Sequence, residues 1–188
     1  MNRITKWAIV ATAALAVIIF AVFVIMPDER HTASRVQKIN LDHKTYSNLK
    51  ELEDDADVII RGTVFDAGKT LAGAPLRSED GREVPGIPTT EFQVAVKKIY
   101  KGIVTDDQVT VVLTGGTLEG TRYEAEGMPW LVKHSDTIMY LHLGDDGKYY
   151  PLAGGAAIAL RREGKRNNFI LPTEVHGAQE IEIPDSSL

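Results

Sequence analysis

Trp7 to Met26 (WAIVATAALAVIIFAVFVIM) runs for twenty residues without a charge, a glycine or a proline. At about 1.5 Å rise per residue, a helix of that length spans about 30 Å, the thickness of a bilayer's hydrocarbon core. A helix satisfies its own backbone hydrogen bonds, so a single segment of this kind can cross lipid. The run therefore reads as a transmembrane anchor over 7–26, behind a short tail at 1–6. Trp7 suits the membrane interface, and Ile9, Val10, Ile18, Ile19, Phe20, Phe23 and Met26 supply the larger lipid-facing side chains. Arg3 and Lys6 precede the run, and Pro27-Asp28-Glu29-Arg30 ends it.

A cleaved secretory signal is the competing reading. Its best small-residue site, Ala14-Leu15-Ala16, would leave the apolar stretch Val17 to Met26 on the mature chain, and a site after Ala33 would place His31 where a small residue is needed. With no cysteine in the chain, a lipid-modified cysteine anchor is excluded. An uncleaved, single-pass anchor fits better. Lysine and arginine counts do not set its orientation, because Arg30, Arg35, Lys38 and Lys44 follow the run. The front tail is short, however, and long C-terminal domains translocate largely regardless of charge, so the domain is expected outside the cytoplasm.

Beyond the run lie all 26 acidic residues and 19 of the 21 basic ones, so that part of the chain carries a net charge of −7. Its length suits one domain with a real core. The acidic balance argues against nucleic-acid binding, which needs a basic footprint. Without cysteine there are no disulfides, thiol nucleophiles or thiolate metal sites.

Residues 27–45 read as a polar tether and 46–172 as the folded domain, with a frayed tail over 173–188. Tyr46, Leu49, Leu52 and Ala56 recur at helical spacing and predict one short amphipathic helix. The remainder reads as strands. Asp57 to Val64 is rich in β-branched residues, and in Thr89 to Tyr100 the side chains of Phe92, Val94 and Val96 share one face. Ile99 falls out of phase, which predicts a bulge. Val109 to Leu113 and Thr137 to Leu143 follow, then a turn at Asp145-Asp146-Gly147 into Lys148 to Leu152. Ala156 to Leu160 and Asn168 to Leu171 predict a last hairpin. Five to seven strands and one helix suggest a small β-barrel. Two connections, Ala67 to Pro88 and Thr114 to Ser135, are too long for simple turns, and such loops are commonly functional.

The order "ADVIIRGTV", long loop, "TEFQVAVKKIYKG", "DDQVTVVLTGG" and "DTIMYLHL…DGKYY" resembles the netrin-like domain, the OB-type barrel of the tissue inhibitors of metalloproteinases. The resemblance covers about Tyr46 to Leu152 and lies in the order of elements. The same pattern resembles bacterial membrane-anchored surface proteins of unassigned role. It implies an OB/netrin-like barrel with one packed helix. The inhibitors grip a catalytic zinc through an N-terminal cysteine held by disulfides, and this chain has no cysteine. That mechanism does not transfer.

Catalytic and cofactor motifs fare poorly. Gly62 to Thr70 nearly spells a phosphate-binding loop, but it has five residues between its glycines where four are needed, and a poor helix start follows. No nucleotide is expected. Asp54, Asp55 and Asp57 lack the spacing of a calcium loop. The histidines form no metal-binding pair, and His142, between Leu141 and Leu143, reads as a solvent-facing strand residue. No cofactor, metal or catalytic residue is therefore assigned. Trp130, in Met128-Pro129-Trp130-Leu131, reads as a plug for one end of the barrel or as a partner contact. Arg77 and Arg82 in the first long connection, with Tyr123 and Trp130 in the second, form the candidate binding surface.

The expected function is a membrane-anchored, extracytoplasmic binding or assembly module without catalysis, for a protein or cell-envelope ligand. One alternative is an exported hydrolase or inhibitor acting on envelope components through carboxylates such as Glu124, Glu126 or Asp136. The other is an accessory subunit that touches its partner through the anchor helix, where Ala8, Ala11, Ala14 and Ala21 would permit close approach.

Overall fold

The computed structural model describes residues 35–42, 44–165, 167–171 and 180–182, all within the unit Ala33–Leu188. The expected anchor at 7–26 lies outside the described residues. Among those described, no helix is long and apolar enough to cross a membrane.

The fold is mainly β. In chain order it comprises β1 (Arg35–Ile39), α1 (Leu49–Asp55), β2 (Val58–Val64), β3 (Lys69–Arg77), β4 (Glu83–Lys101), β5 (Gln108–Leu118) and β6 (Thr121–Ala125). Then come β7 (Asp136–Leu143), β8 (Tyr149–Pro151), a 3-10 turn (Gly154–Ala157), β9 (Ile158–Arg161), β10 (Asn168–Ile170) and β11 (Glu180–Glu182). Five of these strands close on themselves. β2 pairs antiparallel with β4 and β7, β4 with β5, and β7 with β8, while β8 meets β5 in parallel at Val111 and Tyr149. The ring therefore runs β2-β4-β5-β8-β7 and back to β2, which removes the open edges of a flat sheet.

Alternation along the strands fills the ring. Val58, Ile60 and Val64 of β2 meet Phe92 and Val94 of β4, Val111 and Leu113 of β5, and Met139 and Leu141 of β7 in one buried cluster. The intervening residues of β2 and β7, Ile59, Ile138 and Tyr140, point outward into a second cluster. There α1 lays Leu52 against the sheet, with the 3-10 turn supplying Ala156 and Ala157, β9 Ala159 and β10 Phe169. Asn48 caps α1 by accepting a hydrogen bond from the Glu51 amide at 2.9 Å. At the other end, Lys101 Nζ donates to the carbonyls of Glu53 and Asp54 at 2.8 and 2.9 Å, where cations suit the helix dipole.

The expected bulge is present and double. Against β4, the register of β2 slips between Ile59 and Ile60 and again between Arg61 and Gly62, so Tyr100 and Lys97 have no opposite partner in β2. The turn at Asp145-Asp146-Gly147 and the β9–β10 hairpin also form as expected.

Four expectations need correcting. The stretch read as a tether contains β1, which pairs in parallel with β6 from Arg35–Thr121 to Ile39–Ala125. The segment Ala67 to Pro88 is a hairpin arm, β3 folded back on the first half of β4, rather than a loop. Thr114 to Ser135 likewise contains the end of β5 and all of β6. Gly115 and Gly116 bend β5 within that segment: their φ values of 99° and 140° suit glycine, and they swing the strand from β4 onto β6. Finally, part of the supposed frayed tail forms β11 on β10.

Candidate functional site

Among the described residues, two concavities flank the barrel. The first is a groove of about 330 Å³ lined by Gln37 and Ile39 of β1, Val84 to Pro88 of β4, and Tyr123 of β6. Both long connections therefore meet at one surface, with β1 as a third contributor that the sequence reading assigned to the tether. The arm is apolar where it is exposed: Val84 and Ile87 are each 40% accessible and Leu76 is 51% accessible. Of the four residues chosen from sequence, only Tyr123 lines this groove. Arg77 sits at the end of β3, opposite Glu83 across the arm. Arg82 lies in the arm's turn, where its Nε donates to Asp80 Oδ2 at 2.6 Å.

Trp130 belongs to the second concavity. It is 43% exposed, while its neighbour Leu131, 1% exposed, joins the buried cluster inside the barrel. Trp130 instead stands edge-on to the buried Phe92, with ring centroids 6.1 Å apart and an 82° interplanar angle. The Arg122 guanidinium lies 5.4 Å from the Trp130 ring centroid.

This second cleft, about 780 Å³, includes Asp136 and Leu160 in its lining, with Val132 to Ser135 and Arg161 to Lys165 around them. Asp136 is buried where β7 begins, on the outward face opposite Thr63. Arg61, also buried, holds it through two hydrogen bonds, Nε to Oδ1 at 3.2 Å and Nη2 to Oδ2 at 2.9 Å. Arg161 Nη1 donates to the same Oδ2 at 3.3 Å, and Lys97 Nζ lies 3.4 Å from it. The bulge at Lys97 explains how that residue joins the cluster. The Arg61 guanidinium also lies 5.1 Å from the Phe169 ring centroid. Three cations therefore surround one carboxylate.

Burial pushes the Asp136 carboxyl up, but its hydrogen bonds and charge attraction to Arg61, with Lys97 behind them, outweigh that and hold it below the usual carboxylate range. A carboxyl acting as a general acid near neutral pH needs the opposite shift. Of the other carboxylates weighed for hydrolysis, Glu124 pairs with Arg122 at 2.9 Å, and Glu126 donates its backbone amide to Ile39 O at 3.0 Å.

The remaining candidates are held separately. Asp54 is paired with Lys50, Asp55 with Lys44 and the buried Tyr46 hydroxyl, and Asp57 with His142 at 2.6 Å. Among the described residues no three His, Asp or Glu side chains converge as a metal site. His142 is exposed, as alternation predicts. After β2, the glycine-rich stretch turns at Asp66 to Gly68, where Gly68 N donates to Asp66 Oδ1, and enters β3 rather than a helix.

Sequence reasoning picked out Asp136 as a candidate carboxylate and missed Arg61, Lys97 and Arg161 beside it. The available signal was Arg61 itself, an unpaired charge inside the apolar strand VIIRGTV. A buried arginine needs a carboxylate, and strand pairing supplies one 75 positions away. Compared with known proteins, the chain matches no family model, no curated protein and no solved structure.

Proposed function

We propose that this chain is a membrane-anchored, extracytoplasmic binding or assembly module built on an OB/netrin-like barrel, acting without catalysis. The observation that carries the reading is the groove where both long connections and β1 meet, rimmed by the exposed apolar residues of the arm. Patches of this kind on a small domain mark contact surfaces. The fold assignment rests on strand order. The ring β2-β4-β5-β8-β7, with its parallel contact between β5 and β8, supports an OB-type barrel, whose ligands bind along the second and third strands in chain order and the adjoining loops. The ion-paired Asp136 supports the non-catalytic part, and the run at 7–26 supports the anchor.

A photo-crosslinking residue placed at Tyr123 of the full chain in intact cells tests the reading. A discrete adduct to one partner is expected there, absent when the same residue replaces Lys50 on α1 and lost when the arm between Pro75 and Pro85 is cut to a short turn. Identical adduct patterns at both positions would count against it, as would release of the chain from membranes by an alkaline wash.

A further inference from the structure

The cleft beside Asp136 shares no lining residue with the groove. Its volume of about 780 Å³ lies in the range of pre-formed ligand sites. Two turns wall it. The first is pinned by Ser135, whose amide and Oγ donate to Val132 O at 3.0 and 2.6 Å, and by the His134 amide, which donates to Val64 O at 2.8 Å. His134 there adopts a φ of 71°, in the left-handed region that few non-glycine residues occupy. The second wall is the β9–β10 turn, closed by the Lys165 amide on Arg162 O at 3.2 Å.

Both walls are cationic: Lys133 lies on the first, and Arg161, Arg162 and Lys165 on the second. Among the described residues, the carboxylates in the lining are Glu163 and Asp136, and Asp136 is already shared by Arg61, Arg161 and Lys97. Lys133 and Lys165 are exposed and make no ion pair among the described residues. This runs against the composition of a chain with 26 acidic and 21 basic residues. Cations gathered in a concavity repel one another and raise the local potential, which attracts anions. Trp130 at the rim adds an aromatic edge.

We propose that this cleft binds a polyanionic chain, with phosphate or carboxylate groups spaced so that both turns are engaged at once. Facing walls favour a chain that enters the cleft over a flat bilayer surface, whose headgroups would meet the rim alone. Cations on each wall favour two or more anionic groups over a single ion. The site is independent of the groove, so either proposal can fail without the other.

The test uses the full chain in nanodiscs of zwitterionic phosphatidylcholine, with Trp7→Phe introduced so that Trp130 fluorescence reports binding. The probes are linear polyphosphate, poly-L-glutamate, orthophosphate and vesicles containing phosphatidylglycerol. Saturable binding of polyphosphate or poly-L-glutamate is expected, weakening as salt rises. It should fall at least tenfold in the Lys133→Glu/Lys165→Glu variant and change less than twofold in Lys69→Glu, an exposed lysine on β3. Orthophosphate should bind at least tenfold more weakly. Binding of neither polymer, equal binding of orthophosphate, or an equal loss in Lys69→Glu would overturn the proposal. So would binding of the phosphatidylglycerol vesicles alone, which would make the ligand a lipid surface.

Discussion

Along β2, Val58, Ile60 and Val64 point into the barrel, while Ile59 and Arg61 point out from the same strand. β7 repeats the arrangement, with Met139 and Leu141 inside and Asp136, Ile138 and Tyr140 outside. On these two strands the inward side chains are apolar apart from Thr137. The outer face begins as a second apolar cluster under α1 and ends as the Arg61–Asp136 pair, joined by Lys97 and by Arg161, which lines the cleft. A two-residue period lets one pair of strands serve both faces. The interior can therefore stay dry while the exterior carries charge.

The interior should show the largest effect. Phe92 is fully buried and also supports Trp130, so Phe92→Ala is expected to destabilise the domain by about 4 kcal/mol in urea or guanidinium unfolding. A loss below about 1 kcal/mol would mean that the barrel interior is not packed as described.

The outer pair comes next, and its test is a cycle. Asp136→Leu alone leaves Arg61 buried without its carboxylate and should cost about 3 kcal/mol. Arg61→Leu/Asp136→Leu should cost much less than that single change, because apolar replacement of both partners leaves no stranded charge. A double variant at least as unstable as Asp136→Leu would contradict this.

The pair also sets a pH dependence. The folded Asp136 pKa lies below its unfolded value of about 3.9. Its stabilisation is therefore present above that value and lost as pH falls through the folded pKa. Unfolding midpoints measured from pH 6 to pH 2 should fall more steeply in the wild type than in the double variant.

The smallest effects mark where each face departs from its own rule. Thr137 sits fully buried on the inward side with its hydroxyl unpartnered among the described residues. Thr137→Val should raise stability by about 1 kcal/mol. On the outer side, Asn48→Ala removes the α1 cap and should cost about 1 kcal/mol.

Much of the barrel was legible because burial on one face imposes alternation, which TTEFQVAV displays directly, while DTIMYLHL reads as a strand through a continuous apolar run covered on both faces. The double bulge was foreshadowed by Ile99. The arm was not legible: β3 reads KTLAGAPLR, with glycine and proline where strands usually avoid them. Those residues fit because β3 pairs only with β4, and an edge strand tolerates proline. β1 was missed because RVQKI is largely exposed and draws its order from β6 rather than from a core. The cationic cleft was invisible for a related reason. Its cations come from Lys133 and the 161–165 turn, brought together by pairings that leave no local pattern.

The separation of packing from binding is tested most directly on one sample of Lys133→Glu/Lys165→Glu, by measuring its affinity for polyphosphate or poly-L-glutamate together with its denaturation midpoint. Affinity at least tenfold weaker than wild type, at an unchanged midpoint, is expected if the outer face binds and the inner face holds the fold. Unchanged affinity, or a midpoint that falls along with the affinity, would contradict that division.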